Sequence, residues 1–425
     1  MNAGWQTTKP MTRRTVAGQA VLLAGAGTLA ACGGPQGSRT AGTTPQLEAA
    51  TLRWATDYEA TFHPLVDAAL ARLKQQAPQL TVQHEATPGA EYYTKLRTLL
   101  ASDTMPDVAL MTTRWSAQWL RGRGPAPAGG GAFKDLDPLV KREKHDVSDF
   151  WPLLMPGFSD ETGHVHVFPY DISAQLLYYN KALLQAEGVP VPDGSWTLDR
   201  LLEQAKRLTK PASQLYGFVG FPSGGQFEHG VERFGGSLFD EKLQRCALNS
   251  AGSVAGVQWW TDLRHKHGVS PLAPDLAALG GAERAFGSGN LAMVVLGTTS
   301  VGRVRGFQID WDVAPIPPGP RGDQLRAGGG GYAISGKTPN PEQSWVLLKH
   351  LTSKETLAEM IGRSGRSIPG RKSVAQSTID AAKPPRNWPA ALKEAEKARA
   401  ISFSLHPRGG DILDEVTRGL NAIYD

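Results

Sequence analysis

The chain has 425 residues, of which 40% are hydrophobic, and it contains 48 Gly, 30 Pro, 11 Trp and 2 Cys. This apolar content supports a large buried core and argues against a disordered, collagen-like or coiled-coil protein. Two cysteines cannot build a disulfide framework. The formal charge of +5 is too small to indicate a nucleic-acid-binding protein.

The N-terminus has the pattern of an export signal. Arg13 and Arg14 form a twin-arginine pair, and the mildly apolar, glycine-containing run from Val16 to Ala31 follows. That run is too short for a membrane-spanning helix, so a removable leader of the twin-arginine type is predicted. The general export route stays open, since the pair alone is a short motif.

The end of this leader, Leu29-Ala30-Ala31-Cys32, resembles the lipobox of bacterial lipoproteins. The resemblance implies a signal peptide over 1–31 and a lipidated Cys32 that becomes the new N-terminus. Residues 32–50 are then a flexible tether, because they are rich in Gly, Pro, Ser and Thr. Cys246 would remain as an unpaired, packed small residue.

The first half of the remaining chain alternates between strand and helix patterns. Three short apolar runs predict strands, and two segments with apolar residues at helical spacing separate them. The order predicts a parallel sheet with right-handed crossovers. The segments are 51–56, 63–77, 80–84, 92–100 and 107–111.

The second half continues as a mixture of helices and strands. Asn180 and Thr197 each stand where a helix N-cap is expected, with a hydrophobic residue before the cap and another inside the helix. Strands are predicted at 163–169, 175–179, 216–221, 291–296 and 331–335, and helices at 251–267, 341–352 and 390–400.

Five motifs in a fixed order resemble the extracellular solute-binding proteins of ABC importers, specifically the sugar-binding group that includes maltose-binding protein. Each motif is weak alone, and their order behind a lipobox carries the resemblance. They are Tyr92-Tyr93-Thr94-Lys95-Leu96 with Met105-Pro106-Asp107-Val108, Gly163–Pro169 with Tyr178-Tyr179-Asn180-Lys181, Gly188-Val189 with Trp196-Thr197, Phe286–Met293, and Ser364–Pro369. The Gly/Pro-rich segment 121–131 is longer than the family's usual strand exit.

The resemblance implies an α/β fold with two lobes around a ligand cleft, joined by a hinge. It places the first lobe at 51–170 plus 297–336 and the second at 171–296 plus 337–425. It further implies a monomer on the outer face of the cell membrane or in the periplasm. Such a protein uses no cofactor, catalyses nothing, and hands a small solute, most simply a carbohydrate, to membrane permease subunits.

A sugar presents apolar C–H faces and a rim of hydroxyls, so it needs aromatic rings beside polar side chains. In open α/β sheets such groups follow the carboxyl ends of strands. Trp115, Asp171 and Tyr332 are the strongest candidates. The full predicted set is Trp54, Asp57, Tyr58, Glu59, Arg114, Trp115, Tyr170, Asp171, Phe227, Glu228, Gly297, Thr298, Gly330, Tyr332 and Arg366.

Other interpretations of the sequence remain open at this point. The arginines would suit a charged solute such as a glycerol phosphate. No motif in the sequence argues against a secreted polysaccharide-active enzyme or a ligand-sensing module. Gly331–Thr338 fits the P-loop pattern, but it contains a strand and is followed by prolines, which disfavours nucleotide binding. The pair His164 and His166 is interpreted as surface histidines and not as metal ligands.

Overall fold

The computed structural model describes residues 47–89, 91–121, 131–221, 226–378 and 383–424, which belong to one compact unit, Leu47–Asp425. Arg13, Arg14, Cys32 and most of the segment 121–131 lie outside the described residues. Within the described ranges, no helix combines the length and the apolar character that a membrane span requires.

Twelve strands are present in the described part of the chain. They are β1 Ala50–Thr56, β2 Leu80–Ala86, β3 Val108–Thr112, β4 Val167–Pro169, β5 Asp171–Asn180, β6 Tyr216–Val219, β7 Leu291–Gly297, β8 Trp311–Ala314, β9 Arg326–Gly328, β10 Gly330–Ile334, β11 Ile368–Pro369 and β12 Arg399–Ala400.

The same residues form sixteen α-helices. They are α1 His63–Gln76, α2 Glu91–Ala101, α3 Thr113–Leu120, α4 Asp137–Glu143, α5 Lys181–Ala186, α6 Leu198–Leu208, α7 Phe227–Glu232, α8 Ala251–His265, α9 Ala273–Ala278, α10 Ala282–Gly287, α11 Val301–Val304, α12 Pro341–Leu351, α13 Lys354–Leu357, α14 Lys372–Ser377, α15 Trp388–Lys397 and α16 Gly409–Tyr424.

Most predicted elements are confirmed, and so are both predicted caps. The Asn180 side chain accepts a hydrogen bond from the backbone N–H of Leu183 at 3.2 Å, and Thr197 accepts one from Arg200 at 3.2 Å. These bonds satisfy backbone donors that the first turn of a helix leaves free. The predicted strand 163–169 is shorter than expected, because only β4 pairs within a sheet.

Two sheets organise the molecule. The first has the order β2-β1-β3-β10-β4, in which β1 is parallel to both β2 and β3, as the alternating pattern predicts. The second sheet is built around β5, which pairs antiparallel with β7, β8, β9 and β11. We call the part around the first sheet the first lobe and the part around the second sheet the second lobe.

Three segments lie with the opposite sheet from the one that the predicted lobe boundaries assign. β9 was placed in the first lobe but pairs with Ser173 and Ala174 of β5. β8 was placed in the first lobe but pairs with β5, where Trp311 stacks on Tyr178 with ring centroids 5.5 Å apart. α12 was placed in the second lobe but covers β10, β1 and β3 with its buried Trp345 and Leu348. The chain therefore leaves the second sheet between β9 and β10 and leaves the first lobe after α12, not at the predicted boundaries 296/297 and 336/337.

The hydrophobic core consists of two clusters that meet at β5. One cluster fills the first lobe and continues onto the face of β5 that carries Leu176 and Tyr178. The other covers the opposite face, which carries Leu177 and Tyr179, and it includes Trp260 of α8. Since alternate side chains of a strand point to opposite faces, β5 links both clusters.

Two minor expectations need correction. Cys246 is exposed and not packed. His166 is buried and not on the surface: its Nδ1 lies 3.1 Å from the Phe133 carbonyl oxygen and its Nε2 lies 3.1 Å from Asp160. Among the described residues, no three His, Cys, Asp or Glu side chains are placed to hold a metal ion.

Candidate ligand-binding site at the lobe crossover

The site begins where three stretches of backbone pass between the two lobes. Tyr170 separates β4 from β5, Gly329 separates β9 from β10, and Gly370 follows β11. The Tyr170 N–H donates to the Gly330 carbonyl at 2.9 Å, and the Gly370 N–H donates to the Tyr170 carbonyl at 2.8 Å. The Asp171 carboxylate accepts the Gly330 N–H at 2.6 Å, so its side chain ties two crossovers together.

Glycine is required in this place because the crossovers touch. A Cβ atom on Gly330 would lie 2.3 Å from a ring carbon of Tyr170, and one on Gly329 would lie 2.3 Å from the Asp171 carbonyl oxygen. No side chain fits at such distances. The run Gly328–Gly331 therefore lets the backbone approach the aromatic rings of the site.

Aromatic rings from three segments gather at this point. Tyr170 stacks on Tyr332 with centroids 5.1 Å apart, and the hydroxyls of Tyr58 and Tyr332 are hydrogen-bonded. Trp54 meets Tyr332 edge to face at 5.7 Å. We name Trp54, Asp57, Tyr58, Phe62, Tyr170, Asp171, Tyr332 and Arg366 the crossover cluster.

Arg366 occupies the centre of the crossover cluster. Its guanidinium carbon lies 4.6 Å from the ring centroid of Tyr58 and 4.5 Å from that of Phe62, which are cation–π distances. The nearest carboxylate oxygen belongs to Asp57, 3.7 Å away, which is too long for a hydrogen bond. The Nε atom of Arg366 is buried and has no hydrogen-bond partner, so this donor remains available to a ligand.

Both carboxylates of the cluster are held in an unfavourable environment. Burial raises the pKa of Asp171 to about 6, against the opposing effect of the Arg366 charge. Burial also raises the pKa of Asp57, and its Oδ1 atom has no hydrogen-bond partner. Buried polar atoms are nearly always hydrogen-bonded in proteins, so these unpaired atoms suggest positions for ligand groups.

The structure brings together seven of the predicted residues and Gly330 at this crossover. Glu59 follows Tyr58 in the chain, but it is exposed, so it lies at the edge of the crossover cluster. Phe62 was not predicted. Phe62 is four residues from Tyr58, and residues four apart are neighbours only on a helix. The sequence would have indicated Phe62 as a site residue only if this segment had been predicted as helical.

Trp115 and Arg114 lie at another part of the boundary between the lobes. Trp115 is half-buried, stacks on Tyr93 at 5.3 Å, and faces Gly410 of α16. Arg114 forms an ion pair with Asp414 of α16 at 2.9 Å. Both residues therefore lie on α3 and face the C-terminal helix, and their contact with a ligand stays a prediction.

Phe227 and Glu228 were predicted as ligand residues, but both are buried inside the second lobe. The Glu228 carboxylate accepts hydrogen bonds from the N–H and the hydroxyl of Ser402 at 3.1 and 2.8 Å and pairs with Arg326 at 3.1 Å. These partners engage both carboxylate oxygens. Glu228 therefore has a structural role, because it joins α7 to β9, the strand that precedes the crossover at Gly329.

Thr298 is likewise occupied by the protein itself. It is fully buried, and its hydroxyl lies 3.3 Å from the Ile172 carbonyl and 3.1 Å from the Ser367 hydroxyl. Thr298 thus fastens the end of β7 to the segment that carries Arg366. Gly297 lies opposite Gln175 of β5.

The geometry of the crossover cluster suits recognition and offers no nucleophile with an adjacent base. Aromatic faces provide apolar contact, while Asp57, Asp171 and Arg366 provide an acceptor or a donor to hydroxyl groups. The formal charge of these three side chains sums to −1. The P-loop pattern at 331–338 plays no such role, since it forms β10 and the turn before α12.

The family model described as "Bacterial extracellular solute-binding protein" matches residues 55–358. This is most of the chain, and the protein therefore belongs to that family. The expected two-lobed α/β fold is confirmed. The chain is a substrate-binding protein of the kind that serves ABC transporters, and the family is not one of enzymes.

Individual relatives are distant. A maltotriose-binding protein of Pyrococcus abyssi is 22% identical over 298 residues, which cover 69% of this chain and 60% of that protein. The Listeria monocytogenes substrate-binding protein Lmo0181, solved with cycloalternan, has a TM-score of 0.75 at 20% identity, covering 88% of this chain and 99% of the other. UgpB of Mycobacterium tuberculosis, solved with glycerophosphocholine, has a TM-score of 0.70 at 21% identity, covering 88% and 93%.

Proposed function

We propose that this protein captures a carbohydrate or a related polyol between its lobes and delivers it to the permease of an ABC importer. The observation that carries the proposal is the crossover cluster, in which five aromatic rings surround two carboxylates and one guanidinium. Such a site stacks against C–H faces and hydrogen-bonds hydroxyls. The sugar-binding relatives support this class of ligand.

The ligand would be held by groups from both sides of the crossover. Tyr58 and Asp57 come from the loop after β1, while Asp171 begins β5 and Arg366 precedes β11. A solute that contacts all of these segments stabilises the arrangement in which they are close together. Trp115 and Arg114 would extend the site along the lobe boundary for a longer saccharide.

A charged solute of the glycerol phosphate type is the second candidate, and Arg366 is the observation that favours it. Guanidinium binds phosphate in a bidentate manner. However, the carboxylates of Asp57 and Asp171 both act on the same guanidinium, and they would repel a phosphate. The neutral ligand is therefore preferred.

Isothermal titration calorimetry against maltotriose, erythritol, sn-glycerol 3-phosphate and glycerophosphocholine tests the proposal. We expect one-to-one binding of a neutral compound, loss of affinity in Arg366→Met, and recovery of the unchanged compound after denaturation. Binding of only the phosphate compounds would favour the second candidate. Conversion of the ligand to a product would contradict the function as a binding protein.

Export and anchoring complete the proposed function. The twin-arginine pair Arg13-Arg14 would direct export, and Cys32 would carry the lipid that keeps a monomeric protein at the outer face of the membrane. One acyl chain gives only marginal membrane binding, so a lipoprotein needs at least two. A protein retained there meets its permease repeatedly instead of diffusing away.

A further inference from the structure

Beyond the crossover cluster, a row of uncharged polar side chains runs along β5 into the second lobe. Ser173 and Gln175 alternate with core residues and share the face of Asp171, because side chains two apart in a strand point to the same side. Further along that face, Leu177 enters the second hydrophobic cluster. The polar part of the face is thus confined to the end nearest the crossover.

Thr299, which follows β7, brings a third polar side chain to this place. If Gly297 carried a Cβ atom, it would lie 3.0 Å from Ser173 Oγ, 3.3 Å from Gln175 Nε2 and 3.3 Å from Thr299 Oγ1. Three polar ends therefore converge on the one position of β7 that lacks a side chain. We name Ser173, Gln175 and Thr299 the polar strip.

The polar strip has unused hydrogen-bonding capacity. The Oε1 atom of Gln175 is buried and has no hydrogen-bond partner. Within the described part of the chain, the side chains of Ser173 and Thr299 form no hydrogen bond either. All three residues are half-buried, so they are accessible from outside. An amide oxygen that is desolvated and unpaired costs free energy unless a donor reaches it.

The strip is fixed beside the crossover cluster. Thr298 precedes Thr299, and its hydroxyl lies 3.1 Å from that of Ser367, the neighbour of Arg366. Asp171 lies two residues before Ser173 on the same face of β5. A solute seated against Arg366 and Asp171 therefore has the strip as its next neighbour in the second lobe.

We propose that the polar strip is the second-lobe half of the ligand site and that Gln175 and Thr299 determine specificity for a neutral, hydroxyl-bearing group. This inference rests on the proposed function. A ligand hydroxyl would donate to Gln175 Oε1, and the Gln175 amide and the two side-chain hydroxyls would serve its other hydroxyls. The strip contains no positive charge, so it cannot offset the desolvation of a phosphate.

The test uses Gln175→Met and Thr299→Val, which keep side-chain volume and remove the polar atoms. Their matched controls are Gln185→Met and Thr94→Val, at exposed helix positions. Titrations with maltotriose, erythritol and glycerophosphocholine should show at least tenfold weaker binding of the neutral ligand in both strip variants. The controls should stay within twofold of wild type, and all melting temperatures should agree.

The outcomes separate this inference from the proposed function. If wild type binds a neutral compound and both strip variants bind it equally well, the polar strip is not part of the site and only this inference fails. If wild type binds glycerophosphocholine alone, the neutral specificity is wrong. If wild type binds none of the three, the proposed function fails, and the inference fails with it.

Discussion

Replacing Asp171 by Asn should make the empty protein more stable at neutral pH while weakening its affinity for solute. Burial raises the pKa of Asp171 to about 6 from an ordinary value of 3.8. Between pH 3.8 and about pH 6 the Asp171 carboxyl group is protonated in the folded state but ionised in the unfolded state. The free energy of unfolding therefore falls as the pH rises through that interval. The whole difference corresponds to about 3 kcal/mol above pH 6.

Asparagine removes this cost because it carries no charge, and its carbonyl oxygen can still accept the Gly330 N–H. The pKa of about 6 already includes the Gly330 hydrogen bond to the ionised carboxylate, so the net gain should be about 3 kcal/mol at pH 7.5. Urea unfolding at pH 7.5 and pH 4.5 measures it, and the gain should shrink at the lower pH. Calorimetry with the ligand should show the loss of affinity.

Asp160→Asn is the matched control, with the opposite sign. Hydrogen bonds from Thr162, His166 and His164 outweigh burial and lower the pKa of Asp160. The ionised Asp160 carboxylate stabilises the folded state at every pH above the pKa that Asp160 has in the unfolded chain, and this effect is lost as the pH falls. Asp160→Asn should therefore destabilise the protein at pH 7.5. If Asp171→Asn also destabilises at pH 7.5, the argument that its carboxylate is retained for ligand binding at a cost in stability is refuted.

Three further changes test other parts of the interpretation. Gly330→Ala should displace the Tyr170 ring, lowering both melting temperature and affinity, because its Cβ would lie 2.3 Å from a ring carbon; an unchanged affinity would contradict the site. Glu228→Gln should stabilise the protein at pH 8, since burial raises the pKa of Glu228 to about 7. The free energy of unfolding of this variant should change less between pH 5 and 7 than that of wild type. Its affinity for the ligand should equal that of wild type, and a lower affinity would restore Glu228 as a ligand residue. Cys32→Ala should abolish labelling by radioactive palmitate, and persistent labelling would exclude the lipoprotein proposal.

Local patterns predicted most of the secondary structure and the loop residues after β1. Asn180 and Thr197 could be recognised as caps because a cap depends only on the next three residues. Asp57 and Tyr58 could be recognised because they follow a buried strand, where α/β proteins place ligand groups. The order of short motifs predicted the family.

The same reasoning could not separate residues that face a ligand from those that face the protein. Glu228 and Thr298 stand at strand and helix ends just as Asp57 does, yet Ser402, Arg326 and Ser367 use their hydrogen-bonding capacity. Those partners lie far away in the sequence, and only folding brings them near.

The sequence by itself determined the solute-binding family, the alternation of strands and helices, and the glycine run at 328–331, since each depends on neighbouring residues. The tertiary structure decided that β8 pairs with β5 and that α12 covers the first sheet, because strand partners are chosen by packing across the chain. It also decided that Arg366 lies on the rings of Tyr58 and Phe62, a contact between segments about 300 residues apart. The site exists only where the crossovers meet, so no single segment could have revealed it.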